Sequence, residues 1–251
     1  MDYTPRELMV VAAAREIRDG EIIFVGMRLP LLGFAVAKEI YAPRAIGIFE
    51  NGVMRDWPAR EAFLTISDPP NVAGSLYCGS VLDVMALLQS GRVDLGFIGG
   101  AEVDRFGNLN THWVEEKGKR IRLPGSGGAA DIATMASRCI IIMNHERRRF
   151  PPKVHFVTSA GYGNGAHWRE QMRLSGGGPS RVITSLGIFS FEPVTREMVL
   201  SSTHPGVSVE EIQRETGWPL RIQEDLRETD PPSADELAVV RKYDPKGVWT
   251  S

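Results

Sequence analysis

The sequence predicts an α/β protein with an open, mostly parallel sheet that is flanked by helices on both faces. Two observations lead to this fold class. Short apolar runs that end near a glycine recur along the chain, and segments with apolar residues at helical spacing lie between them. Strands that alternate with helices of about 10–15 residues form βαβ units, because the connection between parallel strands needs a crossover.

The first helix is predicted over residues 5–19. Thr4 is a suitable N-cap, Pro5 fits the first helical turn, and Gly20 follows as a stop signal. Between them, apolar residues recur at the three- and four-residue spacing of a helix face. This segment therefore opens the alternation of helices and strands.

The later elements follow from the same two patterns, since short apolar runs predict buried strands and helical spacing predicts the segments that cover them. The predicted strands cover residues 22–25, 45–49, 93–98, 139–143, 154–157 and 182–186. The predicted helices cover residues 30–40, 80–88, 129–137 and 207–216, and a last helix opens at residues 232–236.

The C-terminal part of the chain lacks the short apolar strand runs and instead shows helix-start signals and prolines. Ser208 with Glu211 three positions later predicts a capping box at a helix start, and proline-containing breaks follow at residues 218–219 and 231–232. We predict one domain over residues 1–251, with a helical tail over about residues 205–251 packed on it.

The composition narrows the classes of protein. A chain of 251 residues that is 43% hydrophobic can bury a large core. Its aliphatic stretches are far shorter than the roughly 18 residues of a membrane span, and no signal peptide is visible, so we expect a cytoplasmic protein without membrane contact. Cys78 and Cys139 lie in no CxxC pair and are predicted as buried thiols. A net charge of −2 with dispersed basic residues argues against nucleic acid as a partner.

The segment AIGIFENGVM, residues 45–54, permits two interpretations. Asn51-Gly52 is a strong signal for a hairpin with a type I′ turn, which makes Glu50 a solvated flanking residue. Alternatively, Glu50 follows an apolar strand at its carboxyl end, where the functional groups of an α/β sheet gather. The local pattern alone favours the hairpin.

A glycine-rich loop, PGSGGAAD at residues 124–131, precedes a predicted helix. It matches a loose dinucleotide fingerprint, with Glu146 as the ribose-binding acid, but the charged residues 115–122 before it do not suit the buried first strand of such a site. Glycines before a helix leave backbone N–H groups free to receive an oxyanion or a carboxylate, so the loop stays a candidate binding element.

The remaining searches favour no metal or nucleotide chemistry. The segment FIGGAEVDRFGNLN, residues 97–110, combines a strand, a glycine pair and a polar loop. No P-loop, HExxH or G-x-S-x-G motif is present, so we predict no metal site. Five histidines without ligand spacing are predicted to be structural: His112, His145, His155, His167 and His204.

Several motifs in order resemble the B subunit of glutaconate-type, family I CoA-transferases. They are VGMRLPLLGFAVAKEIYAP, FENGVM, FIGGAEVDRFGNLN, GSGGAADIA, IIIMNHERRRF and VTSAGY, and the similarity continues to the C-terminal part of the chain. In that family the first residue of the E-[NS]-G element is the catalytic glutamate. The resemblance therefore overrides the local preference and implies that Glu50 is catalytic.

The resemblance also implies binding residues and a partner. The family's G-x-G-G-A loop gives backbone amides to the thioester carbonyl, which maps onto Gly128 and Ala129 with Gly127 beside them. The polar loop residues Asn51, Gly100 and Asn110 are possible substrate contacts. A homologous A subunit is expected to complete the enzyme as an A2B2 or larger assembly, with coenzyme A as substrate and transient adduct and with no permanently bound cofactor.

The implied reaction moves CoA between an acyl-CoA and a carboxylic or dicarboxylic acid through a glutamyl-CoA thioester. Alternatives on the same fold are an acyl-CoA hydrolase, a decarboxylase, a ring-cleaving enzyme, and a non-catalytic subunit that binds a CoA ester. Arg28 is a candidate for a distal carboxylate or CoA phosphate, although a surface arginine is equally expected. For Arg147–Arg149 we favour a solvated or subunit-facing run of charges.

Overall fold

A computed structural model describes residues 2–59, 61 and 63–251 of the chain. These residues form two compact units. The first unit comprises Met1–Phe97 together with Pro231–Ser251, and the second comprises Ile98–Asp230. Each unit is described below by itself.

Helices and strands alternate along the chain, as the sequence predicts. The α-helices are α1 Pro5–Arg15, α2 Leu29–Ile40, α3 Pro69–Val72, α4 Val81–Gln89, α5 Ala129–Met135, α6 Trp168–Gln171, α7 Val209–Arg214 and α8 Ala234–Tyr243. The strands are β1 Ile22–Phe24, β2 Ile46–Ile48, β3 Val53–Arg55, β4 Tyr77–Cys78, β5 Leu95–Ile98, β6 Glu102–Val103, β7 Leu109–Asn110, β8 Trp113–Glu116, β9 Lys119–Arg122, β10 Arg138–Met143, β11 Pro179–Thr184, β12 Gly187–Phe191, β13 Met198–Thr203 and β14 Arg221–Glu228. None of the helices in the described ranges is long and apolar enough to cross a membrane.

In the first unit, the strands lie in the order β5-β1-β2-β3-β4. β1 runs parallel to both β2 and β5, whereas β3 is antiparallel to β2 and β4. The parallel strands are short apolar runs whose side chains are largely buried, and helices connect them. The predicted α/β class, with an open sheet and flanking helices, is confirmed.

Helix α1 is stabilised at its start by the residues that the sequence indicated. Thr4 Oγ1 accepts a hydrogen bond from the Glu7 backbone N–H at 3.1 Å, and the Glu7 carboxylate accepts one from the Thr4 N–H at 2.9 Å. This capping box satisfies two of the helix's unpaired donors. Apolar residues around the whole helix are buried, so α1 is a core helix of its unit.

In the second unit, the strands lie in the order β10-β11-β12-β13-β14. Pairing is parallel for β10–β11 and β13–β14 and antiparallel for β11–β12 and β12–β13. Two further pairs, β6–β7 and β8–β9, are antiparallel. The β8–β9 pair is an exposed hairpin whose turn residues Lys117 and Gly118 have φ of 50° and 73°. This charged segment is therefore not the buried first strand that a dinucleotide-binding site would need.

The strand predicted over residues 154–157 is wrong. The segment has no ladder partner, because its backbone donors bond elsewhere: the His155 N–H donates to Glu102 Oε2 at 3.1 Å. The neighbouring Thr158 N–H donates to the Leu109 carbonyl at 2.8 Å. Pro151 and Pro152, which lack an N–H, precede the segment and disfavour a ladder. A short apolar run alone does not separate a strand from such a loop.

The C-terminal segment completes the first unit, since α8 packs on α1 and α2. Leu237 and Val240 are buried, and ion pairs surround them. The Arg15 guanidinium donates two hydrogen bonds of 2.8 Å to the Glu236 carboxylate, and Arg241 contacts Glu7 at 2.8 Å. These contacts join the two ends of the chain's first unit.

Glu236 gives this unit a pH-dependent stability. Burial alone raises the pKa of Glu236, but hydrogen bonds from Arg15, Tyr41 and Ser233 outweigh it and lower the pKa to about 2. Because the unfolded carboxyl titrates near 4.5, its stabilisation is complete above about pH 4.5 and disappears as the pH falls towards 2.

We expect Glu236→Gln to lower the free energy of unfolding by about 2 kcal/mol at pH 7, with the difference from wild type shrinking below pH 4.5. Urea unfolding at pH 7, 4.5 and 3 measures this difference. The exposed Glu224→Gln serves as control and should show no such trend. An unchanged difference across this pH range would refute the assignment.

Candidate functional site

Glu50 lies at the centre of the turn between β2 and β3. Ile48 pairs with Met54 across the hairpin, and the Gly52 N–H donates to the Phe49 carbonyl at 2.9 Å, so Glu50 and Asn51 occupy the two central positions. The hairpin predicted from Asn-Gly is present, but its type I′ turn is wrong. A type I′ turn needs positive φ at both central residues, and neither Glu50 nor Asn51 has one; the positive φ, 96°, belongs to Gly52, which follows them.

The Glu50 carboxylate is half-buried and receives no hydrogen bond from any described residue. Its neighbour Asn51 is anchored: Asn51 Nδ2 donates to the Ile66 carbonyl at 2.6 Å, and Asn51 Oδ1 accepts from the Val53 N–H at 3.3 Å. The turn is therefore held by Asn51, while Glu50 is left chemically available. One amide hydrogen of Asn51 has no acceptor among the described residues.

Gly52 is required by close backbone packing. A Cβ atom at this position would lie 2.6 Å from the carbonyl carbon and oxygen of Gly79 and 2.7 Å from the Ser80 carbonyl carbon. The Gly79 N–H also donates to the Gly52 carbonyl at 3.0 Å. The segment before α4 thus fixes the turn that carries Glu50.

The carboxyl ends of β1 and β2 lie side by side, because these strands are parallel and the Val25 N–H donates to the Ile48 carbonyl at 2.9 Å. Arg28 follows β1 at the N-terminus of α2 and is exposed, with a φ of 65° and a ψ of −121°. Such a backbone conformation costs about 1–3 kcal/mol in a non-glycine residue. Arg28 and Glu50 therefore lie at the same edge of the sheet in the first unit.

In the second unit, the glycine-rich loop leads into α5. Gly127 has a φ of 50°, Gly128 is the N-cap, and no described residue accepts a hydrogen bond from either N–H. The Ala129 N–H, in contrast, donates to the Ser126 carbonyl at 3.0 Å. Ala129 is thus not the free donor that the family resemblance implied, and the free donors are Gly127 and Gly128.

Gly100 and Asn110 lie at the β6–β7 pair. The Ala101 N–H donates to the Asn110 carbonyl at 2.9 Å, and a Cβ on Gly100 would lie 2.9 Å from the Leu109 side chain. The Asn110 side chain is 0% exposed. Its Nδ2 donates to Glu102 Oε2 at 2.7 Å and to the Trp113 carbonyl at 2.6 Å, and its Oδ1 accepts two backbone N–H groups.

The side chain of Asn110 therefore has no donor or acceptor left for a substrate, which disagrees with its prediction as a substrate contact. It orients the buried carboxylate of Glu102, which pairs with the exposed His155 in a contact that the sequence did not reveal. Glu102 Oε1 contacts His155 Nδ1 at 2.6 Å, and the two residues are 53 positions apart. Only the folded chain brings them together, so no local motif signals the pair.

We expect Asn110→Ala to act on stability and not on substrate binding. Removing the amide leaves Glu102 and two backbone N–H groups with unmet hydrogen bonds, which should lower the free energy of unfolding by about 2–4 kcal/mol. Chemical denaturation measures the loss. The exposed Asn164→Ala is the control, and a rise of KM in Asn110→Ala without loss of stability would contradict this role.

Several other predicted residues have partners within their own unit. His145 is buried between Thr184 and Thr216 and stacks on Phe150 at 3.8 Å, and burial lowers the pKa of His145 to about 3. His204 is also buried and hydrogen-bonded. These two histidines are structural, as predicted, and the described ranges contain no cluster suited to a metal ion.

The basic side chains of Arg147–Arg149 contact residues of their own unit. Arg147 donates to the carbonyls of Arg214 and Thr216, and Glu146 pairs with Arg148 at 2.7 Å and with Arg149 at 3.2 Å. Both carboxylate oxygens of Glu146 are thus paired with arginines, which argues against Glu146 as the ribose-binding acid of a dinucleotide site.

The two cysteines differ in environment. Cys139 is buried, as predicted, and burial raises the pKa of its thiol to about 12. Cys78 is exposed, so the prediction of a second buried thiol is wrong. It lies in β4, the outer strand of its order in the first unit, and its Sγ is 2.9 Å from Ser75 Oγ.

Comparison with known proteins gives one consistent result. Residues 6–215 match the model of the family described as Coenzyme A transferase. The chain is 38% identical to the B subunit of 3-oxoadipate CoA-transferase from Pseudomonas knackmussii, covering 95% of this chain and 92% of the relative. It is 34% identical to the B subunit of glutaconate CoA-transferase from Acidaminococcus fermentans, covering 96% and 92%.

Solved structures agree with these relatives. The crystal structure of glutaconate coenzyme A-transferase from Acidaminococcus fermentans superimposes with a TM-score of 0.90 at 34% identity, covering 100% of this chain and 99% of that chain. The decarboxylase AibA/AibB superimposes with a TM-score of 0.83 at 27% identity, covering 98% and 97%. Proteins with different reactions thus share this fold.

Proposed function

This chain belongs to the Coenzyme A transferase family, and on that premise we propose that it is the B subunit of a CoA-transferase whose nucleophile is Glu50. The enzyme transfers CoA between an acyl-CoA and a carboxylic acid, together with an A subunit. The observation that carries the proposal is the Glu50 carboxylate itself. It stands in a turn fixed by Asn51 and Gly52, and it has no described partner that would occupy it.

The chemistry follows from a carboxylate nucleophile. A Glu50 oxygen attacks the thioester carbonyl, the carbon–sulfur bond breaks, and an acyl-glutamyl anhydride and CoA thiolate form. The thiolate then attacks the glutamyl carbonyl and releases the donor acid, which leaves CoA bound to Glu50 as a thioester. The acceptor carboxylate attacks this thioester, and the same steps in reverse deliver the new acyl-CoA and regenerate Glu50.

Each tetrahedral intermediate carries an oxyanion that needs hydrogen-bond donors. We propose that the N–H groups of Gly127 and Gly128, which have no described acceptor, serve the thioester carbonyl. A lost donor of this kind costs about 2.7–4 kcal/mol of transition-state stabilisation. Coenzyme A takes part as substrate and as transient adduct, and the chemistry calls for no further cofactor.

The names of the relatives suggest the partner and the acid. Relatives named as B subunits support assembly with an A subunit, for which we propose an A2B2 or larger complex. Two of them are named for 3-oxoadipate and glutaconate, which are both linear dicarboxylic acids. We propose an acid of this class as the substrate, with exposed Arg28 at the Glu50 edge of the sheet as a candidate contact for a second carboxylate.

A hydrolase is the second candidate, since water can intercept the anhydride or the glutamyl thioester. Mixing the purified A and B subunits with an acyl-CoA, with and without a dicarboxylate acceptor, separates the two. A transferase forms the new acyl-CoA and releases little free thiol, whereas continuous thiol release that ignores the acceptor identifies a hydrolase and refutes transfer.

A further inference from the structure

The turn that carries Glu50 is tied to the segment around α3 by a shared hydrogen-bond acceptor. The Ile66 carbonyl accepts from Asn51 Nδ2 at 2.6 Å and from Asn71 Nδ2 at 2.7 Å. A carbonyl oxygen has two lone pairs, so it can accept both bonds at once. Ile66 therefore joins a side chain of the turn to a side chain of α3.

The Asn71 side chain is buried at a cost in stability. Asn71 is 0% exposed, and no described residue donates a hydrogen bond to its Oδ1. A buried acceptor without a partner lowers stability, and an apolar side chain at this position would avoid that loss. The amide is therefore explained by the bond that its Nδ2 makes to Ile66, and not by a gain in stability.

Arg55 holds the main chain of Asn71 in place. Arg55 lies in β3 and is 3% exposed, and its Nη1 donates to the carbonyls of Asn71 at 2.6 Å and Ala73 at 3.0 Å. Because α3 has only four residues, its last carbonyls find no donor within the helix. The guanidinium supplies the missing donors and so fixes the end of α3.

These four residues, Asn51, Ile66, Asn71 and Arg55, form a closed set of contacts that we call the turn network. Asn51 and Arg55 belong to one short stretch of main chain, which is the turn and the strand that leaves it. Asn51 binds this stretch to Ile66, and Arg55 binds it to Asn71. A stretch held at both ends moves less than one held at a single point. Glu50 accepts no hydrogen bond from a described residue, so the turn alone sets the position of its carboxylate.

We propose that Asn71 and Arg55 are positioning residues for the Glu50 nucleophile, and that they act through the Ile66 carbonyl and Asn51. This inference rests on the proposed function, because that function makes Glu50 the nucleophile. Attack on a thioester carbonyl requires the carboxylate oxygen in near-attack geometry, and a displacement near 1 Å can cost about 10²-fold in rate. Loosening the turn network should therefore lower kcat and leave KM unchanged.

Steady-state kinetics of the A–B complex test the assignment. We expect Asn71→Ala to lower kcat about 30-fold, and Arg55→Lys, which keeps one cationic donor, to lower it about fivefold, with KM for both substrates unchanged. The rate of covalent CoA addition in a single turnover should fall by the same factors. Arg55→Lys carries the test if Asn71→Ala does not fold.

Glu236→Gln is the matched control for these kinetics. It removes a carboxylate that Arg15 binds at α8, so it destabilises the same unit without touching the turn network, and it should keep its kcat. If the folded variants of Asn71 and Arg55 keep the wild-type kcat, or if KM rises while kcat stays the same, the positioning role is refuted.

Hydrogen exchange tests the turn network without catalysis. The Gly52 N–H, which donates to the Phe49 carbonyl, reports opening of the turn. In Asn71→Ala it should exchange about tenfold faster, whereas the Val25 N–H, which donates to the Ile48 carbonyl, should exchange at the wild-type rate. Equal acceleration at both amides, or none at Gly52, contradicts the proposal. If Gly52 alone exchanges faster and the wild type transfers no CoA, the turn network stands and the proposed function fails.

Discussion

Glu50→Gln is expected to lower kcat of the assembled enzyme by about 10⁴-fold or more, because no acyl-glutamyl anhydride can form without the carboxylate. The folded state should be unaffected, since no described residue donates a hydrogen bond to the Glu50 side chain. The melting temperature should therefore match that of the wild type. Steady-state kinetics with an acyl-CoA and a dicarboxylate measure the loss.

Intact-mass analysis gives a second measurement of the same residue. After exposure of the complex to acyl-CoA, the wild-type chain should gain the mass of covalently bound CoA, and Glu50→Gln should not. Glu210→Gln, an exposed acid in the second unit, is the control and should retain both the adduct and activity. Substantial transferase activity in Glu50→Gln, or an unlabelled wild type that still transfers CoA, would remove Glu50 from the mechanism.

Gly52→Ala is expected to cause the second-largest effect. The new Cβ would lie 2.6 Å from backbone atoms of Gly79, and an L residue is also strained at a φ of 96°. We expect a loss of about 2–5 kcal/mol in the free energy of unfolding. Because the turn also positions Glu50, the folded fraction should lose about 100-fold or more in kcat, as a displacement near 1 Å can cost.

Gly20→Ala separates the effect of backbone strain at a positive φ from the effect of a close Cβ contact. Gly20 has a φ of 85°, close to that of Gly52, but a Cβ there meets no atom within 4 Å. This control should lose about 1–2 kcal/mol of stability and keep its kcat. Equal losses in the two variants would show that backbone strain alone is responsible and that the contact with Gly79 does not position the turn.

The sequence predicted the elements whose cause is local. Buried apolar runs gave β1, β2, β5 and β10, and capping residues gave the starts of α1 and α8. The strands it missed have other causes. β4 is only two residues long, and β14 is exposed along nearly its whole length, so neither periodicity nor apolar content marks them.

In the candidate site, too, the sequence predicts features with a local cause and misses those that depend on the fold. Glu50 is a candidate from the sequence because a strand end and a family motif coincide there. The saturated side chain of Asn110 and the occupied N–H of Ala129 are not, since each depends on a specific three-dimensional partner. Exposed Cys78 illustrates the same limit, because its burial depends on whether another strand lies beyond β4.

The first unit is assembled from two stretches of chain that the ribosome synthesises at well-separated times. Helices α1 and α2 leave the ribosome long before α8, while residues 98–230 between them emerge as one continuous stretch. Until Leu237 and Val240 arrive, the nascent unit exposes the apolar surface that α8 covers. A chain terminated before residue 231 therefore presents a permanent target for chaperones and proteases.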